Sequence, residues 1–218
     1  MASLLEHPDS QDFFDRTYSL LIEEADRGCV LLGVSLLDEE LNKMFRSLVP
    51  EDTSNKRIKE IFDGKNVFGS LSSKLDIAYV CRLLPADVVN CLHLLRKLRN
   101  KLAHEASTFS IDENLDQIYE IFNKTSGNLT AGMAKLSGQF VYGQFIDKVM
   151  ETDHPTDKDK KLFDSKEEAY AFLETNDNVK KALFEQRIKV MLVIGIASLG
   201  GLIIFHREKI LGSYKQQA

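Results

Sequence analysis

Apolar residues recur three and four positions apart along most of the chain, the repeat of a helix that buries one face. Between Ser10 and Val49, Phe13, Phe14, Leu20 and Leu21 begin such a series, and Leu31, Leu32, Leu36, Leu37, Leu41 and Phe45 continue it. Asp9 or Ser10 suits its cap, and Pro50 ends it. Gly28 and Gly33 weaken the middle, so the stretch reads as one long helix or two. Asp63-Gly64 and Phe68-Gly69 then punctuate a loop. Leu71, Leu75, Ala78, Tyr79 and Leu83 restore the helical period up to Pro85, where a further helix begins and runs to about His104. Another is expected from Asp112 to Lys124, capped by Ser110 or Asp112. "GNLTAGMAKLSG" is rich in glycine and gives a poorer helical signal. The stretch from Met150 to Lys161 is polar and charged and contains Pro155, so it reads as a linker. Ser165 and Glu168 form a capping box, and a last long helix starts near Asn178. No alternating strand pattern and no internal repeat stands out. The expected fold is all-α, a helical bundle with an apolar helix at the C-terminal end. It divides into a bundle domain over 1–150, a linker with short helices over 151–187, and the apolar helix over 188–210.

That last helix changes the picture. "VMLVIGIASLGGLIIF", Val190 to Phe205, has sixteen residues and no charge. As a helix it rises about 24 Å, short of the roughly 30 Å hydrocarbon core, although Lys189, His206, Arg207 and Lys209 can snorkel and lengthen the span. Ala197 and Gly201 make a small-xxx-small pair of the kind that packs helices in lipid. A surface helix of a soluble protein is amphipathic, and this one is apolar on every side. Two readings stay open: a single membrane anchor, which the pattern favours, and a fully buried core or dimer-interface helix. Basic residues flank both ends, so orientation is not fixed.

A net charge of −5 and a pI near 5.6 argue against a general nucleic-acid coat, while leaving room for a local basic patch. The three cysteines, Cys29, Cys81 and Cys91, are odd in number, form no CxxC pair and sit among apolar neighbours. They read as free thiols of a reducing, cytoplasmic compartment. The N-terminal stretch has neither a basic n-region nor an apolar h-region, so no secretory signal is expected. No zinc-ligand spacing, P-loop, GxGxxG, GxSxG or HExxH motif occurs, and no metal or cofactor is expected.

The one local concentration of positive charge is "LHLLRKLRNKLAHEAS", Leu92 to Ser107, in which Arg96, Lys97, Arg99 and Lys101 precede any carboxylate. On a helix, Cys91, Leu94, Leu95, Leu98 and Leu102 make an apolar stripe beside a polar one of His93, Lys97 or Arg96, Asn100 and His104. Arg99 falls on the flank of the apolar side, where an arginine pairs with a carboxylate or meets an interface. Asp76, in the preceding helix, is the expected partner for a structural pair. Arg96, Lys97 and Lys101 are candidates for holding a phosphate, against the plainer reading of a solvated face.

"RNKLAH", Arg99 to His104, resembles the R-N-x-x-x-H signature of HEPN domains, small helical bundles that are often dimeric and in many cases metal-independent ribonucleases. The segment Phe62 to Glu105 is also similar to the mannitol operon repressor (MltR) family: an acidic-glycine loop, a glycine before a helix, then a helix with an arginine-rich, histidine-ended finish. That segment spans 44 of the 218 residues. The HEPN resemblance implies a catalytic set of Arg99, Asn100 and His104. His104 would move protons near neutral pH, Arg99 would fork onto phosphate oxygens, and Asn100 would orient either. Arg99 and His104 lie five residues apart, about 140° around a helix, so one site needs two copies of the helix meeting across a homodimer axis. The implied function is an RNA-binding or RNA-cleaving protein of toxin or defence type, with an antitoxin or regulatory protein as partner. The MltR resemblance implies the alternative, a non-catalytic transcriptional regulator or helical interaction module. Either would act in the cytoplasm, tethered to a membrane if the apolar helix is an anchor.

Overall fold

The computed structural model describes residues 7–104, 108–125, 129–157 and 159–215. Glu105 and Ser107, at the end of the basic stretch, lie outside the described residues, as do Gly127 and Asn128 of the glycine-rich segment. Helices account for the ordered elements: α1 (Pro8–Leu21), α2 (Asp26–Arg46), α3 (Asn55–Phe62), α4 (Leu71–Val80), α5 (Ala86–His104), α6 (Leu115–Phe122), α7 (Leu129–Glu151), α8 (Lys166–Thr175) and α9 (Asp177–Lys215). The all-α expectation holds.

The Ser10–Val49 stretch is two helices, and the break falls at residues 22–25 rather than at a glycine. Pro8 stands in the first turn of α1, ahead of Asp9 and Ser10. Gly28 lies in the first turn of α2, with the Glu24 carboxylate folded over it. The Lys189 ammonium donates to the Glu24 carbonyl and pins the same turn to α9. α4 ends in a Schellman motif. The Leu83 N–H donates to the Ala78 carbonyl at 2.9 Å and the Arg82 N–H to Tyr79 at 3.1 Å, which puts Arg82 at a left-handed φ of 53°. α8 starts on the expected box: Ser165 Oγ accepts from the Glu168 N–H at 3.2 Å, and Glu168 reaches back to the Asp164 N–H at 2.9 Å.

α9 is the axis of the bundle. It is continuous from Asp177 and crosses position 188 without interruption, so the apolar run belongs to the same helix as the charged turns before it. α1, α2, α6, α7 and α8 all pack against it. Val190, Val193, Leu199 and Ile203 are wholly buried. By length and composition the helix could cross a membrane, yet 78% of its most apolar window is covered by the protein itself. Its small residues serve that packing. A Cβ on Gly200 would come within 2.0 Å of the Phe13 ring, and one on Gly195 within 2.7 Å of both Met133 and the Phe122 ring. An apolar surface all round is what a helix ringed by others requires, so lipid is not needed to explain the composition.

At the rim, Glu40 is only 3% exposed and sits among three cations. Lys43 Nζ is 2.7 Å from it, Arg16 Nη2 3.4 Å and Arg207 Nη1 4.0 Å, while Arg207 also reaches Asp9 at 2.6 Å. This network ties α1, α2 and α9 together where the apolar packing ends.

Candidate functional site

α5 carries every residue of the basic stretch up to His104. Val88, Val89, Cys91, Leu92, Leu95, Leu98 and Leu102 are buried on its inner face. The hydrophilic residues are thereby pushed to the two flanks, and the flanks differ. Arg96, Arg99 and Asn100, spaced i, i+3 and i+4, line a cavity of about 320 Å³. Its other walls are Val34, Ser35 and Asp38 of α2 and Gly69 to Ser72 at the start of α4. Lys97 and Lys101, one turn apart, line a groove of about 300 Å³ on the opposite flank with Gln117, Glu120 and Lys124. The three residues expected to hold a phosphate together are therefore divided: Arg96 keeps company with Arg99 and Asn100, not with the two lysines.

His104 is the last residue of α5, exposed and outside the cavity that holds Arg99. Within one chain the geometry does not bring the guanidinium and this imidazole together. Arg99 is itself exposed, and its Nη1 donates to Asn100 Oδ1 at 3.2 Å, which fixes the pair as a unit on the cavity lip. Asp76 pairs with His93 and not with Arg99: its Oδ1 is 3.3 Å from His93 Nε2. Arg99 is six residues further along α5, about 120° away from His93, so it cannot face the same carboxylate. Burial pushes the His93 imidazole below its ordinary range, and Arg96 and Lys97 add to that, while Asp76 opposes them without reversing the shift.

Two features of the cavity floor were not expected from sequence. Lys74 is 3% exposed, and its ammonium lies 2.6 Å from Asp38 Oδ1, a close ion pair. Asp38 is the one carboxylate of the cavity wall, and Lys74 compensates it. The signal was present in "LSSKLDIA", where a lysine stands beside the apolar period of α4. The second feature is Gly69. A Cβ there would be 2.2 Å from the Asp63 carbonyl, so only glycine lets the 63–69 loop close and deliver Ser70 as the cap of α4. Ser70 Oγ accepts from the Ser73 N–H at 3.1 Å. Leu71 and Ser72, whose N–H groups have no carbonyl of their own helix to bond, line the cavity.

Arg96 Nε is shielded from solvent and has no hydrogen-bond partner among the described residues. The cavity therefore offers two guanidiniums, an amide, serine hydroxyls and a helix start, and no imidazole. These groups are donors of the kind that suit an anion, and the proton-transfer candidate His104 is not among them. Among the described residues no cluster of three or more His, Cys, Asp or Glu is placed to hold a metal ion.

A second concave surface lies at the far end of α4. A groove of about 680 Å³ is lined by Tyr79, Val80, Arg82 and Leu83 together with His206, Lys209 and Ile210 of α9. Val80 is 77% exposed and Tyr79 54%, side chains left open by the described residues. Burial pushes His206 below its ordinary range, Lys209 assists, and Asp87 opposes.

No protein-family model and no curated protein matches the chain. Among solved structures, a chain of the X-ray structure of the MtlR–HPr complex from Escherichia coli is similar over 88% of this chain and 99% of that one, with a TM-score of 0.56 and 17% sequence identity. At that identity the likeness concerns the fold: the chain has an MtlR-like helical architecture. The match spans the bundle as a whole, whereas the sequence resemblance covered only the segment around α4 and α5.

Proposed function

We propose that the chain is a non-catalytic, MltR-type regulatory module that works by binding a protein partner. The observation that supports this most is the fold-wide likeness to MtlR, a protein whose structure was determined in complex with another protein, HPr. The site geometry is consistent with it. Catalysis of RNA cleavage by Arg99 and His104 needs a proton-transfer group beside the phosphate-binding one, and in this chain the two stand apart. The groove at the end of α4 has the anatomy of a partner surface, with Tyr79 and Val80 exposed at its centre and Arg82 and Lys209 at its rim. An acidic, apolar-edged face on the partner would complement it. With the apolar run of α9 used in the core, the module acts as a soluble cytoplasmic protein.

The test is affinity purification of the tagged full-length chain from its native cells, with wild type, Val80→Asp and Leu136→Asp compared by quantitative mass spectrometry. Leu136 is an exposed apolar residue on α7, away from the groove. The expected result is one stoichiometric protein partner that Val80→Asp loses and Leu136→Asp keeps. Absence of any stoichiometric partner, or equal retention by both variants, overturns the proposal.

A further inference from the structure

We infer that the cavity between α2, the start of α4 and α5 is a binding site for the phosphate group of a small molecule. It lies at the opposite end of α4 from the groove at Tyr79 and Val80, about 15 Å along the helix axis, so it is a separate site and does not rest on the partner proposal.

Charge is the first argument. Arg96 and Arg99 both line the cavity, and among the described residues neither has an ion-pair partner. The only carboxylate in the wall, Asp38, is neutralised by the buried Lys74. Two guanidiniums therefore face one small volume with no uncompensated carboxylate of the described residues in its wall, in a chain whose net charge is −5. Like charges three residues apart on a helix repel, and an anion between them removes that cost.

The donors point the same way. Arg96 Nε is out of solvent yet unbonded, which is costly for a charged donor unless a ligand completes it. Arg99 is held by Asn100 through one nitrogen, which leaves the rest of its fork for a second acceptor. The start of α4 adds main-chain N–H groups, and Ser72 adds a hydroxyl. A tetrahedral dianion with several acceptor oxygens can use donors arriving from α5 and the start of α4 at once; a flat carboxylate offers only two oxygens. The volume of about 320 Å³ exceeds the needs of a bare ion and leaves room for an organic body beside Val34 and Leu71.

The experiment is calorimetric titration of the full-length chain with inorganic phosphate and with glycerol 3-phosphate, against potassium chloride at matched ionic strength. Arg99→Gln and Arg96→Gln are compared with Lys97→Gln and Lys101→Gln, which remove the same charge from the other flank of α5. Arg99 is exposed and bonded only to its neighbour, so Arg99→Gln leaves the fold intact, and circular dichroism verifies this for each variant. Saturable binding is expected that Arg99→Gln and Arg96→Gln each weaken about tenfold or more, the loss of one charge-assisted hydrogen bond. The lysine variants and Val80→Asp leave it unchanged. Tighter binding of glycerol 3-phosphate assigns the site to an organic phosphate and equal binding assigns it to free phosphate; both support the site. No saturable binding of either probe, or equal weakening by Lys97→Gln, overturns it.

Discussion

Removing the last helix separates the two meanings of an apolar C-terminal run more sharply than any point mutation. If residues 188–218 are an anchor, a chain ending at position 187 keeps its soluble domain. If they are the axis of the bundle, it loses its core. The structure supplies the magnitude. Ile188, Val190, Met191, Leu192, Val193, Ile194, Ile196, Leu199, Ile203 and Ile204 are all 5% exposed or less. Burial of each such side chain contributes about 1.5–3 kcal/mol, so these ten contribute about 15–30 kcal/mol, reduced by about 10–40% because unfolded chains already bury some surface. The reduced total, about 9–27 kcal/mol, is comparable to or larger than the roughly 5–15 kcal/mol by which a domain is stable at all. The partners lose their covering too: Phe13, Leu21, Phe122 and Met133 would face water. The assay compares residues 1–187 with the full chain by thermal melting in circular dichroism, dye binding and gel filtration. The truncated chain is expected to aggregate or to bind dye without a cooperative melt, and the full chain to melt cooperatively without detergent. A truncated chain that is monomeric and melts within a few degrees of the full one, beside a full chain that needs detergent, would refute the reasoning.

Other expectations follow from the same contacts. Glu40→Ala strands three cations and should cost about 2 kcal/mol in a denaturant titration; this is less than for a fully buried pair because Arg16 and Lys43 remain 37% and 44% exposed. Glu40→Gln should cost less, and a cost no greater than that of a surface substitution would show that the network is not formed. Burial pushes the Cys29 and Cys91 thiols up to about 12, whereas Cys81 is exposed, so a disulfide reagent should titrate one thiol in the native chain and three after denaturation. His93 and His206 both have folded pKa values below the ordinary 6.5, chiefly through burial. The unfolded chain then binds more protons just below that pH, so stability should fall as pH drops from 7 through 6, and His93→Gln with His206→Gln should flatten the slope. A slope unchanged in the double variant would contradict the assignment.

Much of the fold is legible in the sequence because several helices carry their own punctuation. Pro85 marks the start of α5, and Ser165 with Glu168 marks α8; both helices begin where those residues direct. The elements that escape have weak local signals and strong tertiary ones. α7 is diluted by Gly132, Gly138 and Gly143, and what holds it is tertiary: the Arg187 guanidinium of α9 donates to the Ala134 carbonyl at 3.0 Å. α3 is short, and its Phe62 is covered by the Arg46 guanidinium at 4.3 Å, a contact that no spacing reveals. The apolar run of α9 has the same composition whether lipid or five other helices surround it, and only the packing separates the two.

The candidate site was half legible. The basic stretch, its helix and the glycine before α4 were all evident. The division of its cations between two flanks follows from counting i, i+3 and i+4 from Arg96 against i+4 from Lys97. Lys74 stands out beside the apolar period of α4, but its pairing with Asp38 was not predictable, because a residue of α2 and one of α4 meet only once α5 packs across both.

The proposed function requires that this bundle bind and not cut. The purified full-length chain, freed of contaminating nuclease, is incubated with a structured RNA and with a single-stranded RNA in EDTA, alongside Arg99→Ala and His104→Ala. Intact RNA is expected with all three proteins. Cleavage to 2′,3′-cyclic phosphate ends that both substitutions abolish would contradict it and would place Arg99 and His104 around one phosphodiester.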